Sequence, residues 1–211
     1  MEITAIKKGK NHLFSVELLG ADAITLDKKT VIDEGLFVGQ DLSAKQISAL
    51  KSASDYTRTL SRAVWYLERG DFSEKALRQK LSRAKFPEKA IEKAILRLNE
   101  LALLNDEGLA ERLAEKLLEN NISERAAVQK MVAKGLDYSL SKRAVEDLNT
   151  DPMPQIRAII EKKYKKKLES PENAPKVFAA LQRLGFSYSD IRAALKAYSE
   201  EIEFSEENYG L

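Results

Sequence analysis

The sequence predicts a mainly α protein, in which three tandem three-helix repeats form an elongated curved array after a small β-rich N-terminal extension. Three observations predict this fold class. A pattern of one capping residue, an apolar stripe, a turn and a second apolar stripe occurs three times at a spacing of 50 residues. Apolar residues recur every three or four positions after about residue 50, as in amphipathic helices. Before residue 28, short alternating segments are separated by glycine-containing turns, which is typical of strands.

Composition places the chain among ordinary folded proteins and excludes several kinds of site. Its 211 residues are 44% apolar and 32% charged, which is enough apolar material for a substantial core. The absence of cysteine excludes thiolate catalysis, iron–sulfur clusters and disulfides, and a reducing cytoplasm is the expected compartment. No segment approaches the roughly 18 apolar residues of a membrane span, so we expect neither secretion nor membrane insertion.

The N-terminal region, residues 1–54, is predicted to be a small β meander followed by a short helix. The segments ITAIKK, HLFSVELL and AITL are separated by turn residues. The only histidine, His12, falls in the second segment and is interpreted as a surface strand residue. Ser43 is a typical helix cap, and the helix that it begins is expected to end near Ser54.

The positions that recur at a spacing of 50 residues are those that begin and end helices. In the first repeat, Ser73 is predicted to cap the second helix, and Pro87 is expected at the first position of the third. Between them, Lys85 and Phe86 form a turn that usually has glycine for its positive φ and then an apolar residue entering the core. The corresponding positions in the later repeats are Ser123, Gly135 and Leu136, and then Asn173, Gly185 and Phe186.

Each repeat is predicted to contain three amphipathic helices, and no strand is needed after about residue 50. Such units stack on their neighbours and bury a continuous core, which produces an elongated curved rod. The turn before each third helix resembles the corner of a helix-turn-helix. We assign the repeats to residues 55–104, 105–150 and 151–204, and an acidic tail to residues 205–211.

The sequence offers no pattern for catalysis or for a cofactor. The nine glycines are scattered, and neither GxGxxG nor GxxxxGK[ST] occurs. A Ser-His-Asp arrangement would depend on His12 alone, and a metal site would have to be built from carboxylates. The acidic residues lie at helix starts or opposite apolar stripes, where they compensate helix dipoles and form i,i+4 pairs. We therefore expect no catalytic, cofactor or metal site, and a protein that is not an enzyme.

Positive charge is concentrated in parts of the first and third repeats. Residues 51–104 hold 12 basic and 7 acidic groups, and the run KKYKKK at residues 162–167 has five lysines in six positions. Such clusters suit contact with nucleic-acid phosphates, although each is also typical of a solvated helix surface. Trp65 and Tyr66 are interpreted as packing residues. The candidate contacts are Arg78, Lys80, Arg83, Lys85, Lys130, Lys134, Lys142, Arg143, Lys162, Lys163, Lys165, Lys166 and Lys167.

Three consecutive segments share a pattern with a known family. They are SEKALRQKLSRAKF, LNELALLNDEGLAERLAEKL and ISERAAVQKMVAKGLD. A Ser-x-x-x-Leu-x-x-Lys-Leu helix is followed by a Leu-Leu-Asp-Asp type junction and an aromatic-Ala pair. This order resembles the RecX family of bacterial recombination regulators over residues 60–148, and more loosely in the third repeat. The matching residues are Ser73, Leu77, Lys80, Leu81, Leu103, Leu104, Asn105, Asp106, Leu109 and Ala110.

The chain departs from the family pattern at four positions. Lys85 and Ala102 stand where the family has glycine, Asn105 replaces an acidic residue, and Leu109 replaces an aromatic residue. Each change is physically tolerable, since asparagine caps a helix as aspartate does and leucine fills a core. The departures indicate a divergent member and leave partner contacts at these positions open.

The resemblance implies a non-catalytic modulator of the RecA recombinase, built from three three-helix repeats. Such a protein is expected to lie along the groove of the RecA–DNA filament and to suppress ATP hydrolysis, strand exchange and coprotease activity. A curved rod contacts several protomers at once, so weak contacts add through multivalency. The expected partners are the RecA filament and single- or double-stranded DNA without strong sequence preference, and the expected state is a monomer with no membrane contact.

Two other classes of function remain open at this point. A helix-turn-helix transcriptional regulator would prefer one duplex site and act as a dimer. A helical-repeat scaffold that binds another protein would show no salt-sensitive affinity for DNA.

Overall fold

The structure is a computed structural model that describes residues 1–10 and 13–208. The expected strand position of His12 and the side chains of the predicted acidic tail lie outside this description. The chain forms two compact units, one from Met1 to Asn105 and one from Asp106 onward. Among the described residues, no helix is both long enough and apolar enough to cross a membrane.

The first unit begins with a three-stranded antiparallel sheet, which confirms the predicted meander. Its strands are β1 (Ile3–Lys8), β2 (Leu13–Leu18) and β3 (Ala21–Asp27), paired in the order β1-β2-β3. Helix α1 (Lys28–Asp33) follows directly, because Asp27 caps it by accepting a hydrogen bond from the Thr30 amide at 3.1 Å. The inner face of the sheet buries Ile3, Val16 and Leu26 completely.

Helix α2 runs without a break from Ala44 to Leu67. The capping box at Ser43 confirms the predicted start, but the predicted end near Ser54 is wrong. No glycine or proline occurs within these 24 residues, and the Ser54 side chain is buried where its hydroxyl accepts a hydrogen bond from the Asp27 amide at 2.8 Å. Because α2 continues past Ser54, its first half packs on the sheet and its second half enters the next core.

The remaining helices of the first unit are α3 (Glu74–Arg83) and α4 (Glu88–Glu100). Ser73 caps α3 through a hydrogen bond from the Ala76 amide at 3.2 Å, as predicted. Pro87 lies one position earlier than expected, since it is the N-cap of α4 with an extended ψ of 139°. The end of α2 buries Ala63 against α3 and α4, whose fully buried side chains include Leu77, Leu81 and Ile95.

The second unit is entirely helical in the part that the structure describes. Helices α5 (Asp106–Glu119), α6 (Glu124–Ala133) and α7 (Tyr138–Glu146) surround one core. A second core lies among α8 (Pro152–Ile159), α9 (Lys165–Leu168), α10 (Ala174–Arg183) and α11 (Tyr188–Asn208). Gln155 on α8 is buried, and its side-chain amide donates a hydrogen bond to the Leu118 carbonyl at the end of α5 at 3.1 Å.

The same helix ending explains the repeated turns. After α3, α6 and α10, the C′ residue is left-handed, with φ of 65° at Lys85, 93° at Gly135 and 94° at Gly185. The next amide bonds back to the carbonyl five residues earlier, as from Leu136 to Met131 at 3.3 Å, which defines a Schellman motif. Leu136 and the corresponding Phe186 are buried, as the sequence predicts.

The third repeat is less regular than the sequence suggests. Between α8 and α9 the chain makes a π-helical turn from Ile160 to Tyr164, and a 3₁₀ turn from Pro171 to Asn173 precedes α10. Asn173 does not cap α10 with its side chain, in contrast to Ser73 and Ser123. Its side-chain amide instead donates a hydrogen bond to the Lys167 carbonyl at 3.2 Å, because the 3₁₀ turn leaves Asn173 with helical φ and ψ.

Candidate nucleic-acid interface

The first predicted basic row consists of Arg78, Lys80, Arg83 and Lys85, and its first member is half-buried and held by carboxylates. Arg78 on α3 is paired with Glu74 at 2.9 Å on its own helix and with Glu92 on α4. Glu74 also accepts a hydrogen bond at 2.9 Å from the side-chain amide of Asn99. The Asn99 bond and the Arg78 guanidinium together lower the pKa of Glu74, although burial opposes them. Arg78 therefore connects α3 to α4 through its ion pairs.

The Lys80 ammonium also has partners within its own unit, namely two aromatic rings. The ammonium lies 4.7 Å from the centroid of the Tyr66 ring and 4.9 Å from that of Phe72, which are cation–π distances. Arg83 and Lys85, at the end of α3, are exposed. Basic side chains there also complement the negative end of the helix dipole. Of the first row, Arg83 and Lys85 are the better placed for a ligand.

The second row lies on α6 and α7 of the second unit. Lys130 and Lys134 are exposed at the end of α6. Lys142 pairs with Glu146 at 3.4 Å, and Arg143 pairs with Glu107 at 3.4 Å, with all four side chains more than half exposed. Exposed pairs of this kind contribute only about 0–1 kcal/mol. An incoming phosphate can therefore compete with them.

The third row is the most concentrated group of cations. Lys162, Lys163, Lys165, Lys166 and Lys167 are all exposed, whereas Tyr164 among them packs on the core with Ile160. Lys165 pairs with Glu161 at 3.0 Å, and the hydrogen bond from this pair raises the pKa of Lys165 above its ordinary value. The π-helical turn and α9 thus present five charged amines to solvent, while the Tyr164 ring between them packs on the core. We call these five residues the lysine cluster.

The residues of the junction motif have structural roles. Leu104 is buried in the core of the first unit, and Leu109 and Ala110 are buried in the core of the second. Asp106 begins α5, where an acidic residue complements the helix dipole. Leu103 is 52% exposed, and Asn105 is also exposed.

The structure contradicts the interpretation of Trp65 as a packing residue. Its side chain is 41% exposed, and the guanidinium carbons of Arg62 and Arg69 lie 5.2 Å and 3.9 Å from its ring centroid. Tyr66, by contrast, packs against the core of its unit. The helical spacing of Arg62, Trp65 and Arg69, at i, i+3 and i+7 across the end of α2, is the sequence signal that identifies this group.

Known proteins resemble the chain both in one domain and over the whole sequence. The family model described as the first three-helix domain of RecX matches residues 60–98. Regulatory protein RecX of Caldanaerobacter subterraneus subsp. tengcongensis is 26% identical, over 90% of this chain and 95% of the relative. That of Clostridioides difficile is 27% identical, over 92% and 93%. The chain therefore resembles RecX proteins over nearly its whole length.

Solved structures of RecX proteins have the same fold as this chain. A crystal structure of regulatory protein RecX superposes with a TM-score of 0.68 at 22% identity, and it covers 92% of this chain and 98% of its own. The crystal structure of RecX from Lactobacillus salivarius gives a TM-score of 0.63 at 23% identity, with 69% and 97% covered. The matched residues 60–98 begin in the second half of α2 and end in α4, so they coincide with the three-helix core of the first unit.

Proposed function

We propose that this protein binds the RecA recombinase filament on DNA in the cytoplasm and, without catalysis of its own, limits RecA ATP hydrolysis, strand exchange and coprotease activity. Its resemblance to RecX proteins and the exposed lysine cluster are the observations that support the proposal. The protein acts as a monomer that follows the filament and uses several weak contacts at once. The DNA in the filament is contacted through its backbone, without strong sequence preference.

The lysine cluster supplies the phosphate contacts in this proposal. Five amines within six residues create a local positive potential that attracts a polyanion and displaces its counterions. The Lys165–Glu161 pair is exposed, and exposed pairs are weak, so a phosphate can replace Glu161 as the partner of Lys165. Arg83 and Lys85 on the first unit, and Lys130 and Lys134 on the second, extend the contacts with phosphate. Arg78 and Lys80 contribute to packing, since Arg78 is held by carboxylates and Lys80 by aromatic rings.

Neutralising the lysine cluster tests the proposed role directly. Replacing each of its five lysines by glutamine removes the charge but keeps a polar side chain of similar length. We expect weaker binding to single-stranded DNA, with the slope of log K against log salt reduced by about 0.7 for each phosphate that the variant no longer neutralises. The measurement is fluorescence anisotropy of a labelled oligonucleotide over a range of salt concentrations.

A matched control removes the same charge from the other end of the chain. Lys7, Lys8, Lys10, Lys28 and Lys29 are five exposed lysines of the N-terminal region. Their replacement by glutamine should leave the salt slope unchanged. The proposed role of the lysine cluster is wrong if its variant binds as the unmodified protein does, or if both variants show the same decrease in affinity and slope.

A further inference from the structure

The second half of α2 presents an exposed tryptophan between two arginines. Trp65 is the only tryptophan of the chain, and it is 41% exposed on the outer surface of its unit. Arg62 and Arg69 lie one turn before and one turn after it, with their guanidinium carbons 5.2 Å and 3.9 Å from the indole centroid. The Arg69 guanidinium also donates a hydrogen bond to the Trp65 carbonyl at 3.0 Å, so it is anchored beside the ring.

The indole is supported from behind by the core. The ring of Tyr66 meets Trp65 edge to face with centroids 5.3 Å apart, and Tyr66 meets Phe72 in the same way at 6.2 Å. Tyr66 and Phe72 pack on the core of the first unit, and Lys80 covers them. This stack limits the directions in which Trp65 can turn. Its exposed surface is therefore oriented before any ligand binds, which lowers the entropic cost of binding.

We propose that Trp65 is a stacking site for one unpaired base of single-stranded DNA, with Arg62 and Arg69 binding the flanking phosphates. Stacking of bases on aromatic side chains, beside cations that follow the backbone, is how single strands are bound without sequence preference. The Arg62 guanidinium is the more distant of the two and is displaced by the base. Its planar group then pairs with a phosphate oxygen in two-pronged geometry.

The charges around the site favour an anionic ligand. Arg58 and Arg62 lie on α2 and Arg69 lies in the turn that follows it; Asp55 is 3.7 Å from Arg58, and Glu68 is 3.5 Å from Arg69. Both ion pairs are partly open to water, where such pairs are weak and screened by salt. The proposal rests on the proposed function, in that the filament supplies the single strand, and it adds a contact with a base to contacts with phosphate.

Binding of two oligonucleotides distinguishes stacking from phosphate contact. One is an oligothymidylate, and the other is an abasic phosphodiester of the same length. Because Trp65 is the only tryptophan, tryptophan emission excited beyond the tyrosine absorption band reports on this site alone. We expect saturating oligothymidylate to quench the emission and the abasic strand to leave it nearly unchanged.

Substitution at Trp65 supplies an independent measurement of affinity. Trp65→Ala should weaken binding to labelled oligothymidylate by about 5- to 150-fold, which corresponds to about 1–3 kcal/mol for one stacked base. Its binding to the abasic strand and its salt slope should not change, since the substitution removes no charge. Trp65→Phe should recover part of the affinity. Phe37→Ala removes a 61% exposed ring elsewhere in the first unit and should have no effect.

The other results of these experiments would overturn the proposal that a base stacks on Trp65. Binding of both strands without quenching, or an equal decrease in affinity for both strands in Trp65→Ala, excludes stacking but leaves the phosphate contacts of the proposed function intact. Failure to bind either strand excludes the stacking site together with direct contact to DNA. Circular dichroism of Trp65→Ala shows whether the helices are retained, and Trp65→Phe serves as the readout if they are not.

Discussion

Gly185→Ala should destabilise the second unit by more than its backbone conformation alone explains. Gly185 has φ of 94°, and an alanine in this region costs about 1–2 kcal/mol. A Cβ placed there would lie 2.6 Å from Oγ of Ser123, closer than real contacts allow. That hydroxyl donates a hydrogen bond to the Leu184 carbonyl at 2.6 Å and accepts one from the Ala126 amide at 3.3 Å, which caps α6.

The contact between the added Cβ and Ser123 Oγ adds a second cost, because the Ser123 side chain that caps α6 must move. Displacing a side chain that caps a helix costs about 0.5–2 kcal/mol, so the total for Gly185→Ala is about 1.5–4 kcal/mol. The assay is urea unfolding followed by far-UV circular dichroism, because tryptophan emission reports only on the first unit. Gly39→Ala is the matched control, since Gly39 has φ of 92° with no atom within 4 Å of an added Cβ.

The comparison of these variants isolates the steric contact. Gly39→Ala should be destabilised by only about 1–2 kcal/mol in the same assay. In a Ser123→Ala background the clash is gone, so Gly185→Ala should then cost no more than Gly39→Ala does. Equal destabilisation by the two glycine substitutions, or strictly additive effects of Gly185→Ala and Ser123→Ala, would refute the reasoning.

Two further predictions concern the first unit. Ala102 has φ of 52° at the end of α4 and is exposed, so Ala102→Gly should raise the free energy of unfolding by about 0.5–1 kcal/mol in urea; a decrease in stability would contradict the assignment of strain there. The pKa of Glu74 is lowered from its ordinary 4.5, by the Asn99 bond first and then by Arg78, so its contribution to stability is present above pH 4.5 and is lost as the pH falls through the lower folded pKa. Glu74→Gln should therefore flatten the decrease of unfolding free energy on acidification, and an unchanged pH profile would contradict this.

The repeat was predictable because its determinants are local. A helix ending with a left-handed residue and a buried apolar residue depends on neighbouring positions, so Gly135-Leu136 and Gly185-Phe186 are visible in sequence. The continuity of α2 was not predictable in the same way. Ser54 and Asp55 are typical of a helix end, but a hydrogen bond from Asp27, 27 positions away in sequence, satisfies the Ser54 hydroxyl inside the helix.

The sequence was sufficient to predict which charged residues form the candidate site. It was not sufficient to predict which of them are exposed to a ligand and which are held by partners within the protein. The lysine cluster is exposed as its composition suggests, whereas Arg78 depends on Glu92, which approaches only when α4 packs on α3. The exposure of the aromatic residues was likewise not predictable from the sequence. Helical spacing alone does not reveal that Tyr66 faces the core and that its neighbour Trp65 remains exposed between two arginines.

The central claim, that this protein regulates the RecA filament, is tested most directly by ATP hydrolysis of the host's RecA on single-stranded DNA during titration with the protein. We predict inhibition at fewer copies of this protein than of RecA protomers, because one molecule is proposed to contact several protomers, and we predict weaker inhibition by the variant with a neutralised lysine cluster. Unchanged hydrolysis at every ratio, with the protein folded, or inhibition only when the DNA is saturated, would contradict the claim.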